Sequence, residues 1–312
     1  MRGLAGVNHT ELVPGLIVAN YGRHFLVEAA SGQRLICHSR GKKSQGLVGD
    51  RVLYLPSQDE GTIEKIETRR NVFYRQDEVR TKSFAANLDQ VLILIAAEPE
   101  FSSSQLSRAL IAAEAQHITP IIALNKSDLV EPFARAWEWL LPYRHMHYGV
   151  LPLCLRASAE VDKATLGQLL AGKTTLVLGP SGSGKSSMIN LLAPGALAQT
   201  NEISQALNSG KHTTTSTTWY WLDAHKTTAL IDSPGFQEFG LNHIDPAQLA
   251  AYMPDLRPHV ANCKFYNCTH LHEPGCGVML AAQQPENAHG ISANRYKIYS
   301  DLYAELSQPK KY

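Results

Sequence analysis

The feature that most constrains this chain is a phosphate-loop signature whose partner motifs stand in an unusual order. The signature GxxxxGK[ST] occupies residues 179–186 as Gly-Pro-Ser-Gly-Ser-Gly-Lys-Ser. An Asn-Lys-Ser-Asp run lies upstream at 125–128, and an Asp-Ser-Pro-Gly run lies downstream at 232–235. These are the parts of a guanine-nucleotide site, but an ordinary GTPase carries its NKxD motif after the phosphate loop. The order therefore predicts a GTPase-type site on a circularly permuted chain.

The phosphate loop follows an apolar run, Thr174–Leu178, and precedes a predicted helix over 186–192. Its glycines permit a turn that aims backbone N–H groups at phosphates beside the helix N-terminus. We expect Lys185 to reach the β- and γ-phosphates and act in catalysis, and the Ser186 hydroxyl to ligate Mg²⁺. The predicted nucleotide contacts here are Gly179, Pro180, Ser181, Gly182, Ser183, Gly184, Lys185, Ser186 and Ser187.

The NKxD run predicts selection of a guanine base. A carboxylate at Asp128 can accept hydrogen bonds from guanine N1–H and the exocyclic amine, whereas adenine presents an acceptor there and would leave the carboxylate unpaired. The Lys126 stem would lie along the base. An isolated NKxD run also makes a turn and helix cap, so its position after a strand matters. The predicted base contacts are Asn125, Lys126, Ser127, Asp128, Ser158 and Ala159.

The DxxG run follows an apolar segment, Ala229–Ile231. Asp232 is expected to hold Mg²⁺ through water, and the Gly235 amide to sense the γ-phosphate. The polar segment 210–216 lies where a nucleotide-sensing loop belongs, so Thr214 or Thr215 could complete the Mg²⁺ shell.

A catalytic glutamine is missing after DxxG. Many GTPases orient the attacking water with a glutamine there, but this chain has Phe236, which cannot hydrogen-bond water through its side chain. Unaided hydrolysis should therefore be slow. His212, another nearby residue or a partner would supply the missing group, and Gln237 stands one residue late.

Three cysteines and a histidine crowd into a late segment with the spacing Cys-x4-Cys-x-His-x5-Cys. Three thiolates and an imidazole make a closed tetrahedral zinc site, which is structural because no position is left for substrate. His272 is a possible substitute for the histidine ligand. The predicted zinc ligands are Cys263, Cys268, His270 and Cys276.

The 312-residue chain is long enough for two or three domains. Residues 1–68 hold five short strand-like runs, which favour an OB-type barrel, with an SH3-like barrel as the alternative. A loop at 39–46 carries three cations and no acid, so it could hold a phosphate backbone or be a solvated loop.

Residues 69–245 alternate apolar runs with helical stretches, which predicts a parallel sheet with helices on both faces. Residues 246–312 form the predicted zinc-binding domain, mostly helical, with a terminal helix over 294–306.

Bulk properties add limits. The net charge of +1 confines any nucleic-acid-binding surface to a local patch. No apolar run approaches the ~20 residues of a membrane helix, so we expect no membrane partner. The cysteine pattern and the nucleotide site favour a reducing cytoplasm over a disulfide framework. We expect a monomer.

The combination of barrel, motif order and cysteine knuckle resembles the RsgA (YjeQ) family of ribosome small subunit-dependent GTPases. The resemblance spans nearly the whole chain, including His212-Thr213-Thr214-Thr215 and Gly275-Cys276. It implies an OB domain, a permuted GTPase domain and a zinc domain that bind the small ribosomal subunit and its rRNA late in maturation. It also implies that subunit binding stimulates hydrolysis of GTP to GDP and phosphate, with His212 as a catalytic aid.

Two functions from other classes stay open on the residues alone. An ATP-using P-loop enzyme such as a kinase would share the phosphate loop, but the NKxD run argues against it. A nucleotide-gated scaffold that binds RNA without meaningful turnover is compatible with Phe236.

Overall fold

The N-terminal region is a closed five-stranded barrel. The computed structural model describes residues 11–40, 46–195, 217–234, 236, 239–285 and 290–309. The strands follow the order β1-β2-β3-β5-β4, with β4 also pairing with β1 and β3 running parallel to β5. This arrangement confirms the OB-type barrel over the SH3-like alternative. The strands are β1 (Val13–Tyr21), β2 (His24–Ala29), β3 (Arg34–Ser39), β4 (Arg51–Leu55) and β5 (Gly61–Ile66).

An α/β domain follows the barrel. Its parallel strands lie in the order β10-β9-β8-β11-β13. The central strands β8 and β11 are buried along nearly their whole length, as their continuous apolar runs predicted, whereas the edge strand β10 stays partly exposed. The strands are β8 (Gln90–Ala96), β9 (Thr119–Asn125), β10 (Gly149–Pro152), β11 (Thr174–Leu178) and β13 (Ala229–Asp232). The helices of this domain are α1 (Ser103–Ala115), α2 (Val130–Trp139), α3 (Leu141–His145), α4 (Ala159–Leu170) and α5 (Lys185–Leu192).

Strand β12 (Thr218–Trp221) joins the barrel to the α/β domain. It pairs antiparallel with β13 and meets β1 at Ala19 and Thr218, so the two regions share one eleven-stranded sheet. The buried Glu28 carboxylate of the barrel accepts from Trp221 Nε1 at 2.9 Å and Lys226 Nζ at 2.6 Å. No local pattern in the sequence predicted this connection.

A hairpin lies between barrel and α/β domain in the chain: β6 (Val72–Gln76) and β7 (Thr81–Ala86). Phe73 and Phe84 on its two strands each contact the Phe239 ring, with centroids 5.7 and 5.9 Å away. The hairpin was also absent from the predicted elements. The hairpin therefore forms an aromatic cluster with Phe239, which lies in the segment after DxxG.

The C-terminal region packs against the α/β domain and shares its core. It contains a 3-10 helix (Pro246–Tyr252), α6 (Arg257–Val260), α7 (Gly277–Ala282) and α8 (Ala293–Leu306). Residues such as Leu249, Met253, Ile298 and Leu302 are buried in one cluster with residues of α1. The C-terminal region therefore buries its apolar side chains against the α/β domain. Among the described helices, none has both the length and the apolar character needed to cross a bilayer.

Candidate nucleotide site and metal centre

The three motifs meet at the carboxyl ends of neighbouring parallel strands. NKxD follows β9, the phosphate loop follows β11 and DxxG follows β13, so all three open on one cleft of about 1080 Å³. The lining residues are Asn125, Lys126, Asp128, Leu129, Leu155, Arg156, Gly179, Pro180, Ser181, Gly182, Gly184, Lys185, Ser186, Ser187, Pro234 and Phe236.

The phosphate loop has the conformation that its glycines predicted. Gly182 and Gly184 have φ of +80° and +99°, a left-handed region that favours glycine, and Gly184 is the N-cap of α5. A Cβ at Gly179 would lie 2.5 Å from the Leu94 carbonyl oxygen, so no larger side chain fits there. The loop therefore presents backbone to the cleft at a helix N-terminus, the arrangement that binds phosphate.

Asn125 of the NKxD run connects the phosphate loop to the segment that follows β10. Its side chain is only 4% exposed, because Nδ2 donates to the Ser183 carbonyl at 2.9 Å and Oδ1 accepts from Leu155 N at 3.2 Å. Both polar ends of the amide therefore already contact the protein backbone. The sequence predicts that Asn125 selects the base together with Asp128, and these contacts show that it also positions the phosphate loop and the segment after β10.

Asp128 is exposed and lines the cleft. Its Oδ1 accepts from Cys154 Sγ at 3.2 Å, and Cys154 N donates to the buried Asp162 at 2.7 Å. Burial raises the pKa of Asp162, opposed by its hydrogen bond from the Cys154 backbone. The sequence did not predict this contact of Cys154, because an isolated cysteine carries no motif.

Lys126 lines the cleft, and its Nζ donates to the Glu98 carbonyl in the loop after β8. Of the other predicted base contacts, Ser127 donates its backbone N–H to the Leu153 carbonyl. Ser158 and Ala159 lie at the start of α4. Within the described chain these two residues and Ser127 are outside the cleft lining, with Leu155 and Arg156 nearer.

Lys185, which lines the cleft, forms an ion pair with Asp232. Their side chains are 19% and 15% exposed, so solvent screens the pair only partly. The sequence predicted that Lys185 contacts the phosphates and that Asp232 belongs to the Mg²⁺ shell. A bound phosphate would compete for Lys185, and its metal ion would compete for Asp232.

Phe236 lies in the aromatic cluster of the hairpin. It is 4% exposed, and its ring centroid is 6.3 Å from that of Phe239. Beside it, the Pro234 carbonyl accepts from Lys82 Nζ at 2.6 Å, and Ser233 Oγ lies 3.0 Å from Thr217 Oγ1. The predicted contacts His212, Thr215 and Gly235, together with Gln237 and the basic residues at 42–43, lie outside the described residues.

The predicted metal ligands come together in the C-terminal region. The donor atoms of Cys263, Cys268, His270 and Cys276 all lie within 4.8 Å of one another. His270 Nδ1 is 3.4 Å from Cys263 Sγ and 3.5 Å from Cys276 Sγ, and those two sulfurs are 3.8 Å apart. Tetrahedral Zn–S and Zn–N bonds of about 2.3 and 2.0 Å require separations of about 3.5–3.8 Å. The cluster is therefore consistent with a structural zinc.

Neighbouring residues hold this cluster. Tyr296 and Tyr299 of α8 donate to the backbone carbonyls of His270 and Thr269, at 2.7 and 2.8 Å. Glu273 accepts from Thr269 N at 2.8 Å. The alternative ligand His272 is 79% exposed and does not belong to the cluster, so His270 is the histidine of the site.

The fold and the cleft define a circularly permuted P-loop GTPase, because phosphate, base and DxxG motifs converge although their chain order is rotated. The family model described as RsgA GTPase matches residues 66–242. The chain belongs to the RsgA GTPase family.

Individual relatives agree with this assignment. The chain is 70% identical over 306 residues to the "Small ribosomal subunit biogenesis GTPase RsgA" of Variovorax paradoxus (strain S110), covering 98% of this chain and 96% of the relative. The protein of the same description from Burkholderia pseudomallei (strain K96243) is 49% identical, covering 96% and 94%.

Two solved structures are also similar. YjeQ from Thermotoga maritima has a TM-score of 0.73 and 27% identity over 96% of this chain and 100% of that one. YloQ, described as a circularly permuted GTPase, has a TM-score of 0.70 and 26% identity over 99% and 100%.

Proposed function

We propose that this protein binds the small ribosomal subunit late in its biogenesis and hydrolyses GTP to GDP and phosphate there, with stimulation by the subunit. The observation that carries the proposal is the convergence of the three motifs on one cleft in a chain 70% identical to a relative described as a small ribosomal subunit biogenesis GTPase. We further infer a cytoplasmic monomer whose barrel (1–68) and zinc domain (246–312) flank the GTPase domain (69–245) and contact rRNA.

The residues around the cleft would divide the work. The N–H groups of the phosphate loop and Lys185 would bind the phosphates, while Asp128 would pair with the guanine edge. Ser186 and Asp232 offer the hard oxygen ligands that Mg²⁺ prefers, and the ion when bound would neutralise phosphate charge. Lys185 would leave Asp232 for the phosphates when nucleotide enters, because both ions would then gain stronger partners.

Because Phe236 cannot orient the catalytic water, another group must do so. His212 is the candidate within this chain, with Thr215 completing the metal shell and Gly235 sensing the γ-phosphate. A zinc ion in the Cys₃His cluster would be structural, since four protein ligands fill its tetrahedral shell.

A second function is favoured by one observation. Phe236 is buried in an aromatic cluster, so the residue directly after DxxG contributes no side-chain hydrogen bond to the attacking water. The protein could then act as a GTP-dependent binding switch with little turnover.

One experiment distinguishes the two functions. GTP hydrolysis is measured for the protein alone and with small subunits, large subunits or naked rRNA, with Lys185→Ala as the inactive control. Stimulation by small subunits alone, lost in Lys185→Ala, supports the proposed GTPase. Slow turnover that no partner changes refutes it and supports the switch.

A further inference from the structure

Lys82 on the hairpin makes a contact that the GTPase motifs do not explain. Its Nζ donates to the Pro234 carbonyl inside the DxxG run at 2.6 Å, across 152 positions of sequence. The ammonium is half-buried, and it lies 5.3 Å from the centre of the Phe84 ring. Among the described residues, no carboxylate forms an ion pair with it. Burial, and secondarily the charge of Arg75, lower the pKa of Lys82.

The hairpin also holds the chain after DxxG. Gln76 N donates to the Gly240 carbonyl at 3.0 Å, and Asn242 N donates to the Gln76 carbonyl at 2.9 Å. A Cβ on Gly240 would lie 2.5 Å from the Gln76 carbonyl oxygen, so this close approach requires glycine. Lys82 therefore contacts the backbone at Pro234, and strand β6 contacts it again at Gly240 and Asn242.

We propose that Lys82 is a positioning residue for GTP hydrolysis, which it supports by fixing the peptide unit that begins at the Pro234 carbonyl. A trans peptide unit is planar, and its C=O and N–H point in opposite directions. A donor on the carbonyl oxygen therefore restricts the rotation of that unit within the DxxG run. In the proposed function, the DxxG run senses the γ-phosphate.

This role predicts selectivity among nucleotides. GDP has no γ-phosphate, so an anchor for the γ-phosphate-sensing peptide should matter little for GDP binding. It should matter for GTP analogues and for hydrolysis, where charge on the γ-phosphoryl oxygens is stabilised by groups already in position. The inference rests on the proposed GTP hydrolysis, but its binding arm can be tested without turnover.

The test compares Lys82→Met, which keeps the length but removes charge and donor, with Lys82→Arg, which keeps both. Lys173→Met serves as the matched control, because Lys173 donates to Gln90 Oε1 at 3.2 Å near the end of β11 that is remote from the phosphate loop. For each variant we measure single-turnover GTP hydrolysis, affinity for GDP and for GTPγS, and the melting temperature.

Lys82→Met should lower the single-turnover rate and GTPγS affinity by about tenfold or more, the scale of one charge-assisted hydrogen bond. GDP affinity should stay within about twofold, the scale of a near-neutral change. Lys82→Arg and Lys173→Met should behave like the wild type. An unchanged rate in Lys82→Met, or an equal loss of GDP and GTPγS affinity, overturns the inference.

A wild type that hydrolyses no GTP under any condition refutes the proposed function instead. The inference is then decided by binding alone. A selective loss of GTPγS affinity in Lys82→Met supports it, and equal affinities of the variant and the wild type overturn it.

Discussion

Replacing Arg295 with leucine should lower the free energy of unfolding by about 3–5 kcal/mol, because it leaves a buried carboxylate without its partner. Arg295 of α8 is 3% exposed, and Asp255 is 11% exposed. Nε and Nη2 donate to the two carboxylate oxygens of Asp255 at 2.8 and 3.0 Å. Burial alone would lower the pKa of Arg295, but Asp255 keeps it above its usual value.

The same guanidinium ties the C-terminal region to the GTPase domain. Nη1 donates to Ser107 Oγ of α1 at 2.7 Å, and the guanidinium carbon lies 5.2 Å from the centre of the Tyr143 ring in α3. Ser107 Oγ is in turn 2.9 Å from Tyr143 OH. These contacts add one hydrogen bond of about 1 kcal/mol and a desolvated cation–π contact of about 2 kcal/mol. A loss near the upper end of the range is therefore expected.

The assay is urea denaturation followed by circular dichroism for Arg295→Leu, Asp255→Leu and the double variant. Each single change leaves one buried charge, whereas the double change leaves none, so the double variant should be more stable than either single variant. Lys297→Met, at an exposed ion pair on the same helix, should change stability by less than about 0.5 kcal/mol. If the two single costs instead add within about 0.5 kcal/mol, the pair is not coupled and the reasoning is refuted.

Three further predictions concern the base site, the metal site and a half-buried histidine. Asp128→Asn should weaken GDP binding by about 10- to 100-fold and favour xanthosine diphosphate in a competition assay, because the amide donor would face guanine N1–H and the 2-amino group, whereas xanthine has a carbonyl at position 2. Cys268→Ser should lower bound zinc, measured by atomic absorption, and the melting temperature, whereas the exposed His272→Ala should keep both; equal metal loss in the two variants would contradict the ligand set. Burial lowers the pKa of His243 to about 4, so the unfolded chain takes up a proton that the native state does not. The free energy of unfolding should therefore fall as the pH is lowered from about 6.5 to about 4, and His243→Gln should remove that part of the pH dependence in urea titrations at several pH values.

The sequence determined the elements whose signals are local. Continuous apolar runs predicted the parallel strands, since strands covered by helices on both faces need no polar alternation. Fixed spacing predicted the phosphate loop, and Cys-x-His spacing predicted the choice of His270 over His272. The rotated motif order predicted a permuted GTPase, because strand order places the motifs on one edge whichever of them comes first in the chain.

The tertiary structure decided the contacts between residues that are far apart in the chain. Strand β12 and the β6–β7 hairpin are short and partly polar. Their position in the fold therefore depends on distant segments that no local sequence pattern identifies. The same holds for Cys154 beside Asp128, for Lys82 on the Pro234 carbonyl and for buried Arg295. A lone cysteine, lysine or arginine is ordinarily a core or surface residue, and only the packing of distant segments gives it a specific partner. Side-chain periodicity encodes which face is buried, but the identity of the group on the other side is fixed only when the chain folds.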